Sequence, residues 1–368
     1  MRLQSDSWVT DGQSVTNPTS ADGSRGGPSG YKEPVKAYPC RVCDNALYFE
    51  NSVCVSCGTA LGYSRGERAI VPVDTTGRYV DATGLIWWVC RNLNVSGCTW
   101  LARDEKGQCT ACDLTRTRPA DADLEGLEQF RLAEQAKRHL VAELDTLGFP
   151  VVDKVTDPVN GLAFDLLSTT EHSGEANVVI GHQDGVITID LAESDDAYRE
   201  KVRAQLAEPY RTMLGHFRHE VGHYFEWQLV RSDDRKARCR ELFGDESKDY
   251  QAEIDRHYAE GPPEDWATSY ISTYATMHPF EDFAETWAHY LHICDTIETA
   301  SEHGLIAVAP VTAFSSFGDV VRGIWIPLSI ALNMVNRSMG KDDLYPFVIP
   351  PPVLDKLDFV ASLSGTPG

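Results

Sequence analysis

His219-Glu220-Val221-Gly222-His223 constrains this chain more than any other stretch, because it lies in a run with helical periodicity. Apolar residues recur at three- and four-residue steps through Tyr210, Leu214, Phe217, Val221, Phe225 and Leu229, and Glu208-Pro209 marks the start. Residues four apart on a helix share a face, so both imidazoles can reach one Zn²⁺ at roughly 2.0–2.1 Å. Glu220 then falls beside the water such an ion would activate, where it can accept a proton. Gly222 costs a helix interior roughly 1 kcal/mol relative to Ala, and fits where another backbone or a metal site comes close. A surface helix with two solvated histidines is the competing interpretation.

A hydrolytic zinc site takes three protein ligands and leaves a position for water. The segment from Met277 to His292 offers the third. Pro279 suits a first helical position, and Glu281 and Asp282 suit the positive end of the helix that follows. Glu281, Glu285, His289 and His292 fall on one face, with Phe283, Trp287 and Leu291 on another. On that stripe Glu281 can bind the metal while Glu285 accepts the spare N–H of a ligand histidine. Asp282, about 100° round the helix, competes with Glu281 for the ligand role. His216, His278, His289 and His292 are expected outside the ligand set.

Eight of the ten cysteines form two quartets. Cys40-x₂-Cys43 and Cys54-x₂-Cys57 make two knuckles that four sulfurs could close around a structural Zn²⁺. Cys90, Cys98, Cys109 and Cys112 make a second quartet in which only the last pair is tightly spaced. A redox role for either Cys-x-x-Cys pair is the alternative. Cys239 and Cys294 read as buried, inert thiols.

The chain divides into a polar, Gly- and Ser-rich tail (1–37), a Cys-rich ribbon module (38–118) and an α+β region (119–368). The module holds short strands such as Ala69–Val73 and Ile86–Val89 and few apolar residues, so metal would supply much of its folding free energy. Past Pro119, Leu124 to Leu147 make a long amphipathic helix ended by Gly148. Leu162–Leu167, Asn177–Gly181 and Val186–Asp190 are strand-like, with Asp184-Gly185 as a hairpin turn. A free strand edge beside the metal helix could hold a peptide by β-addition. The end of the chain predicts apolar helices packed beneath the site, then an extended Pro346–Pro352.

The net charge of −22 argues against phosphate-backbone or anionic-membrane binding and is compatible with basic substrates. Arg65, Arg68, Arg91, Arg103, Arg116 and Arg118 could still form a local basic patch on the ribbons. No uninterrupted apolar run approaches about 18 residues, the best lying near Val320 to Val335, and the first residues lack a signal-peptide core. A cytoplasmic protein is the expectation.

The knuckles, Gly215-His216-Phe217-Arg218-His219-Glu220-Val221-Gly222-His223-Tyr224, and the segment Tyr274 to Tyr290 together resemble a bacterial family, the zinc-binding metallopeptidases with an N-terminal zinc ribbon. The likeness runs from about residue 38 to about 345 and implies a zincin-like fold and peptidase activity. A more distant similarity is to the lethal-factor-type zincin peptidases, carried by Glu281-Asp282-Phe283-Ala284-Glu285 and by Tyr274 seven residues ahead. It implies Glu281 as ligand in a gluzincin-like set, Glu285 as its supporting carboxylate, and Tyr274 as the phenol that stabilises an oxyanion. Asp282 and the longer gap between the motifs depart from that pattern. On the residues alone, Tyr274 reads equally as a packed aromatic.

The expectation is a Zn²⁺-dependent peptide hydrolase with one catalytic and one or two structural ions, a peptide or protein substrate, and Glu220 as general base. A catalytically weak zincin-fold protein that binds a partner through its ribbons is the alternative.

Overall fold

The computed structural model describes residues 38–168, 181–194, 212–307 and 314–364. The tail, Glu208-Pro209 and most of the 177–181 strand lie outside these residues. The fold is α+β. Its first part consists of short antiparallel pairs, Tyr38–Pro39 with Ala46–Leu47 and Leu61–Ser64 with Ala69–Pro72. A three-stranded sheet of Arg78–Val80, Ile86–Val89 and Leu101–Ala102 follows. Each knuckle ends in a left-handed residue, Asp44 (φ 57°) after the first and Gly58 (φ 73°) after the second. The ribbons also carry an aromatic cluster. Tyr63 lies 4.8 Å from Trp100 and 5.1 Å from Phe49, centroid to centroid, and Phe49 reaches His139 of the long helix at 5.8 Å. Bound metal is thus not the sole source of cohesion there.

That helix, α1 (Leu124–Leu147), starts at Asp123, whose side chain accepts from the Gly126 N–H, and stops at Gly148 with φ 80°. The sheet beside it contains β1 (Thr115–Thr117), β2 (Ala163–Leu167), β3 (Gly181–Gln183) and β4 (Val186–Asp190), in the order β3-β4-β2-β1. β2 pairs in parallel with both neighbours, while β3 runs antiparallel to β4. Asp184 (φ 49°) and Gly185 (φ 81°) join β3 to β4, and positive φ at both central residues is what a tight hairpin turn demands. Among the described residues β3 is an edge strand of the sheet.

The site helices are α2 (Met213–Leu229) and α5 (Pro279–Glu302), separated by α3 (Asp233–Phe243) and α4 (Tyr250–Glu260). Thr212 caps α2 by accepting from the Gly215 N–H, and the His278 ring caps α5 by accepting from the Phe280 N–H. α2 and α5 touch where Gly222 sits: a Cβ there would stand 3.0 Å from Ala284 Cα and 3.2 Å from Trp287 Cβ. Phe225 stacks on Trp287 at 4.9 Å and 18° in the same seam. Buried Arg218 fastens α2 on both sides, donating to Glu143 Oε2 of α1 (3.0 Å) and Asp295 Oδ2 of α5 (2.8 Å).

Two expectations need correction. Pro351 opens α7 (Pro351–Ser362), so the extended run ends at Pro350. Pro tolerates a first helical turn because its missing N–H has no partner to lose. Cys294 is only half-buried, whereas Cys239 is buried. The apolar run expected near Val320 to Val335 lies in α6 (Phe317–Ser338), which includes a wider turn at Val321–Trp325; among the described residues it is the one helix that could cross a membrane by length and composition alone, and Arg322 and Pro327 interrupt its apolar run.

Candidate metal centre

α2 and α5 bring His219, His223 and Glu281 together. His219 Nε2 lies 3.0 Å and His223 Nε2 3.6 Å from Glu281 Oε2, and the three donor atoms all fall within 4.8 Å of one another. Donors around a tetrahedral Zn²⁺ with bonds of about 2.05 Å stand about 3.3 Å apart, so the set fits that ion. His219 Nδ1 donates to Glu285 Oε1 at 2.9 Å, which fixes the tautomer and leaves Nε2 free for a metal. The Ser272 hydroxyl donates to Glu285 Oε2 at 2.7 Å and holds that carboxylate in turn. Asp282 takes no part. It is fully buried on another face of α5, where Lys356 Nζ of α7 donates to its Oδ2 at 2.6 Å. Burial pushes its carboxyl up to about 7 even against that cation.

Glu220 is buried beside the pair, and a Cβ on Gly181 of β3 would stand 3.9 Å from its Oε2. Burial alone would raise its carboxyl. The hydrogen bond from His216 Nε2 at 3.2 Å, with the charges of His216, His219 and His223, outweighs burial and holds it at about 2. Tyr274 sits in a short 3₁₀ turn (Tyr274–Thr276) with its ring 5.7 Å from that of His219. Another phenol, not anticipated from the sequence, comes closer to the ligands: Tyr250 Oη donates to Glu281 Oε1 at 2.6 Å. Burial and the Glu281 charge push its pKa well up, so it stays a donor. Nothing in its local spacing marks Tyr250, which opens α4 after a stretch that reads as loop.

These groups line a cleft of about 990 Å³ walled by β3, α2, α3 and α4. A second cavity of about 420 Å³ shares Gly215, Tyr274 and Glu285 with it and extends past Trp266, His289 and Phe347. Of the four histidines expected outside the ligand set, His216 touches Glu220, while His278 bonds the Lys248 carbonyl. His289 bonds Tyr345 Oη at 2.8 Å, and His292 stacks on the Tyr345 ring. None joins the three-donor cluster.

Both cysteine quartets assemble. Sγ separations are 3.8 Å for Cys40–Cys57 and 3.7 Å for Cys43–Cys54. In the second quartet they are 3.7 Å for Cys90–Cys112 and 3.5 Å for Cys98–Cys109. Four sulfurs at about 2.3 Å from a tetrahedral Zn²⁺ stand about 3.8 Å apart, so each set fits the ion. The quartets differ in access: Cys43 and Cys57 are exposed, whereas all four cysteines of the second set are buried.

Residues 37–123 match a zinc-ribbon domain family, and residues 126–363 match a family described as "Putative zinc-binding metallo-peptidase". An uncharacterized protein of Mycobacterium bovis is 48% identical over 334 residues, covering 89% of this chain and 94% of its own length. Uncharacterized proteins of two Mycobacterium tuberculosis strains match to the same extent. No solved structure matches. With the family match spanning more than half its length and the metal-ligand geometry described above, this chain belongs to the zinc-binding metallopeptidase family that carries an N-terminal zinc ribbon.

Proposed function

We propose that the protein hydrolyses peptide bonds at the cleft between α2, α5 and the edge strand β3, with His219, His223 and Glu281 as the ligands of a catalytic Zn²⁺. The supporting observation is the convergence of these three donors beside Glu220 on the wall of an open cleft. Zn²⁺ bound there would supply a Lewis acid and a water of lowered pKa. Glu220, ionised and held by His216, is the carboxylate placed to accept a proton beside the ligand pair and to pass it on to a leaving amine. Glu285 keeps His219 in the metal-binding tautomer, and Tyr274 faces the cleft as the donor for the developing oxyanion. The edge of β3, unpaired among the described residues, offers backbone groups to an extended substrate. The two cysteine quartets take one structural Zn²⁺ each.

The test is digestion of a mixed peptide library by wild type and Glu220→Gln, with zinc content measured on both. Loss of about 10²–10⁴-fold in turnover with zinc retained is expected for removal of a general base. Equal turnover would remove Glu220 from that role. Stoichiometric zinc with no cleavage by wild type would leave a metal-holding binding protein instead.

A further inference from the structure

Glu226 is a buried cleft carboxylate that the proposed chemistry does not use. It lies three residues beyond His223 on the same face of α2, about 4.5 Å further along the axis, and lines the same cleft. It is only 9% exposed, yet among the described residues it has no ion pair with a Lys, Arg or His within 4.0 Å, and the Cys239 thiol lies 4.0 Å from its Oε1. The neighbouring Glu246 is occupied by Arg240 through contacts of 2.6–3.0 Å. The two cations that line this end, Arg231 and Lys236, are exposed at its rim, and Arg231 is held over the Trp227 ring and by Asn160 Oδ1.

A buried carboxylate without a cation is a costly arrangement in a protein interior. Burial first, then the charges of Glu246, Glu281 and Asp282, push the Glu226 carboxyl well above the usual range. Trp227, Tyr250 and Tyr258 line the approach, and aromatic surfaces accept both the aliphatic stem and the charge of a basic side chain.

We propose that Glu226 forms the floor of a specificity subsite for a lysine or arginine side chain of the substrate, one or two residues from the bond that is cut. An extended peptide advances about 3.3 Å per residue, which puts a side chain that near the metal ligands within reach of Glu226. The proposal rests on the peptide-hydrolase reading for its substrate class. The entering cation supplies the counter-charge that Glu226 does not find among the described residues.

Two measurements on the zinc-loaded full chain test it. Fluorescent octapeptide pools, each with one position fixed as Lys, Arg, Glu or norleucine and the rest randomised, are titrated against Glu220→Gln, and the same pools are digested by wild type. At one position Lys and Arg should bind at least about tenfold tighter than norleucine, and digestion should place that position at a constant offset from the cut. Adding Glu226→Gln should abolish the ratio, and Glu226→Lys should turn it towards Glu, with zinc content confirming that each variant is folded. If Glu226→Lys loses zinc, Glu226→Gln alone decides. Equal binding of the Lys and norleucine pools at every position would overturn the subsite, as would a ratio that survives Glu226→Gln. An additional divalent ion per chain that Glu226→Gln abolishes would also overturn it. Cleavage without a basic preference removes the subsite and leaves the hydrolase; a Glu226-dependent basic preference without cleavage does the reverse.

Discussion

Gly222 shows how much of the metal centre depends on one missing methyl group. Helix propensity favours Ala at this position by about 1 kcal/mol. Against that, the added Cβ would press on Ala284 Cα at 3.0 Å and Trp287 Cβ at 3.2 Å, backbone and near-backbone atoms of α5 that cannot swing aside. Overpacking of this kind costs about 1–3 kcal/mol, so Gly222→Ala is expected to be net destabilising. Because α5 carries Glu281 and α2 carries both histidines, the same displacement should weaken retention of zinc at the proposed His219–His223–Glu281 site more than at the cysteine quartets. Urea unfolding and metal content after dialysis against a mild chelator would measure both; a variant as stable and as metal-loaded as wild type would refute the steric argument. Asp282 carries a similar lesson in the opposite direction. One position round the helix from Glu281, it has the right chemistry for a ligand but is committed to Lys356.

At the scale of elements, what was legible in the sequence was what repeats or punctuates locally. The 3.6-residue pattern marks α1 and both site helices, Gly148 marks the end of α1, and Asp184-Gly185 marks the turn that makes β3 an edge. The face of α5 with Glu281 and Glu285 follows from the same period. Tyr250 was illegible because its bond to Glu281 spans 31 residues and depends on how α4 returns to the cleft. The proline run misled for a local reason: prolines read as extended, but Pro351 occupies a helical first turn. The second cysteine quartet shows only one tight pair, yet folding gathers all four sulfurs, and here the elements predict a difference between the two ribbons. Cys43 and Cys57 are open to solvent, while Cys90, Cys98, Cys109 and Cys112 are shut in against α1. A thiol-reactive mercurial should therefore release zinc in two phases, the first lost from Cys40→Ala and the second retained there. A single phase of both ions would refute the difference in access.

Across the whole molecule, the ribbons are built into the metallopeptidase region rather than strung in front of it. Thr115–Thr117 pairs with β2 as the last strand of the central sheet, three residues after Cys112. Arg65 holds Asp145 of α1 through two bonds of 2.6 and 2.7 Å, and Arg68 donates to the Asp145 carbonyl. Of the six arginines that could form a basic patch on the ribbons, Arg65, Arg116 and Arg118 are spent on carboxylates of this chain, which draws down the patch that nucleic acid would need. The deepest tie is Arg138 of α1. It is 1% exposed, is ion-paired with Glu50 of the ribbon, and donates to the Ser96 carbonyl at 3.2 Å beside the buried quartet. Removing one partner of a buried ion pair typically costs about 3–5 kcal/mol, since the other charge stays behind without compensation. Arg138→Met keeps the stem and removes the charge, so it should destabilise by roughly that amount. Its effect also reports on cooperativity. If ribbon and peptidase region unfold as one unit, release of the ribbon zincs and loss of tryptophan fluorescence will shift to lower urea together. A shift of zinc release alone would mean that the ribbons unfold separately from the helices that carry the metal centre.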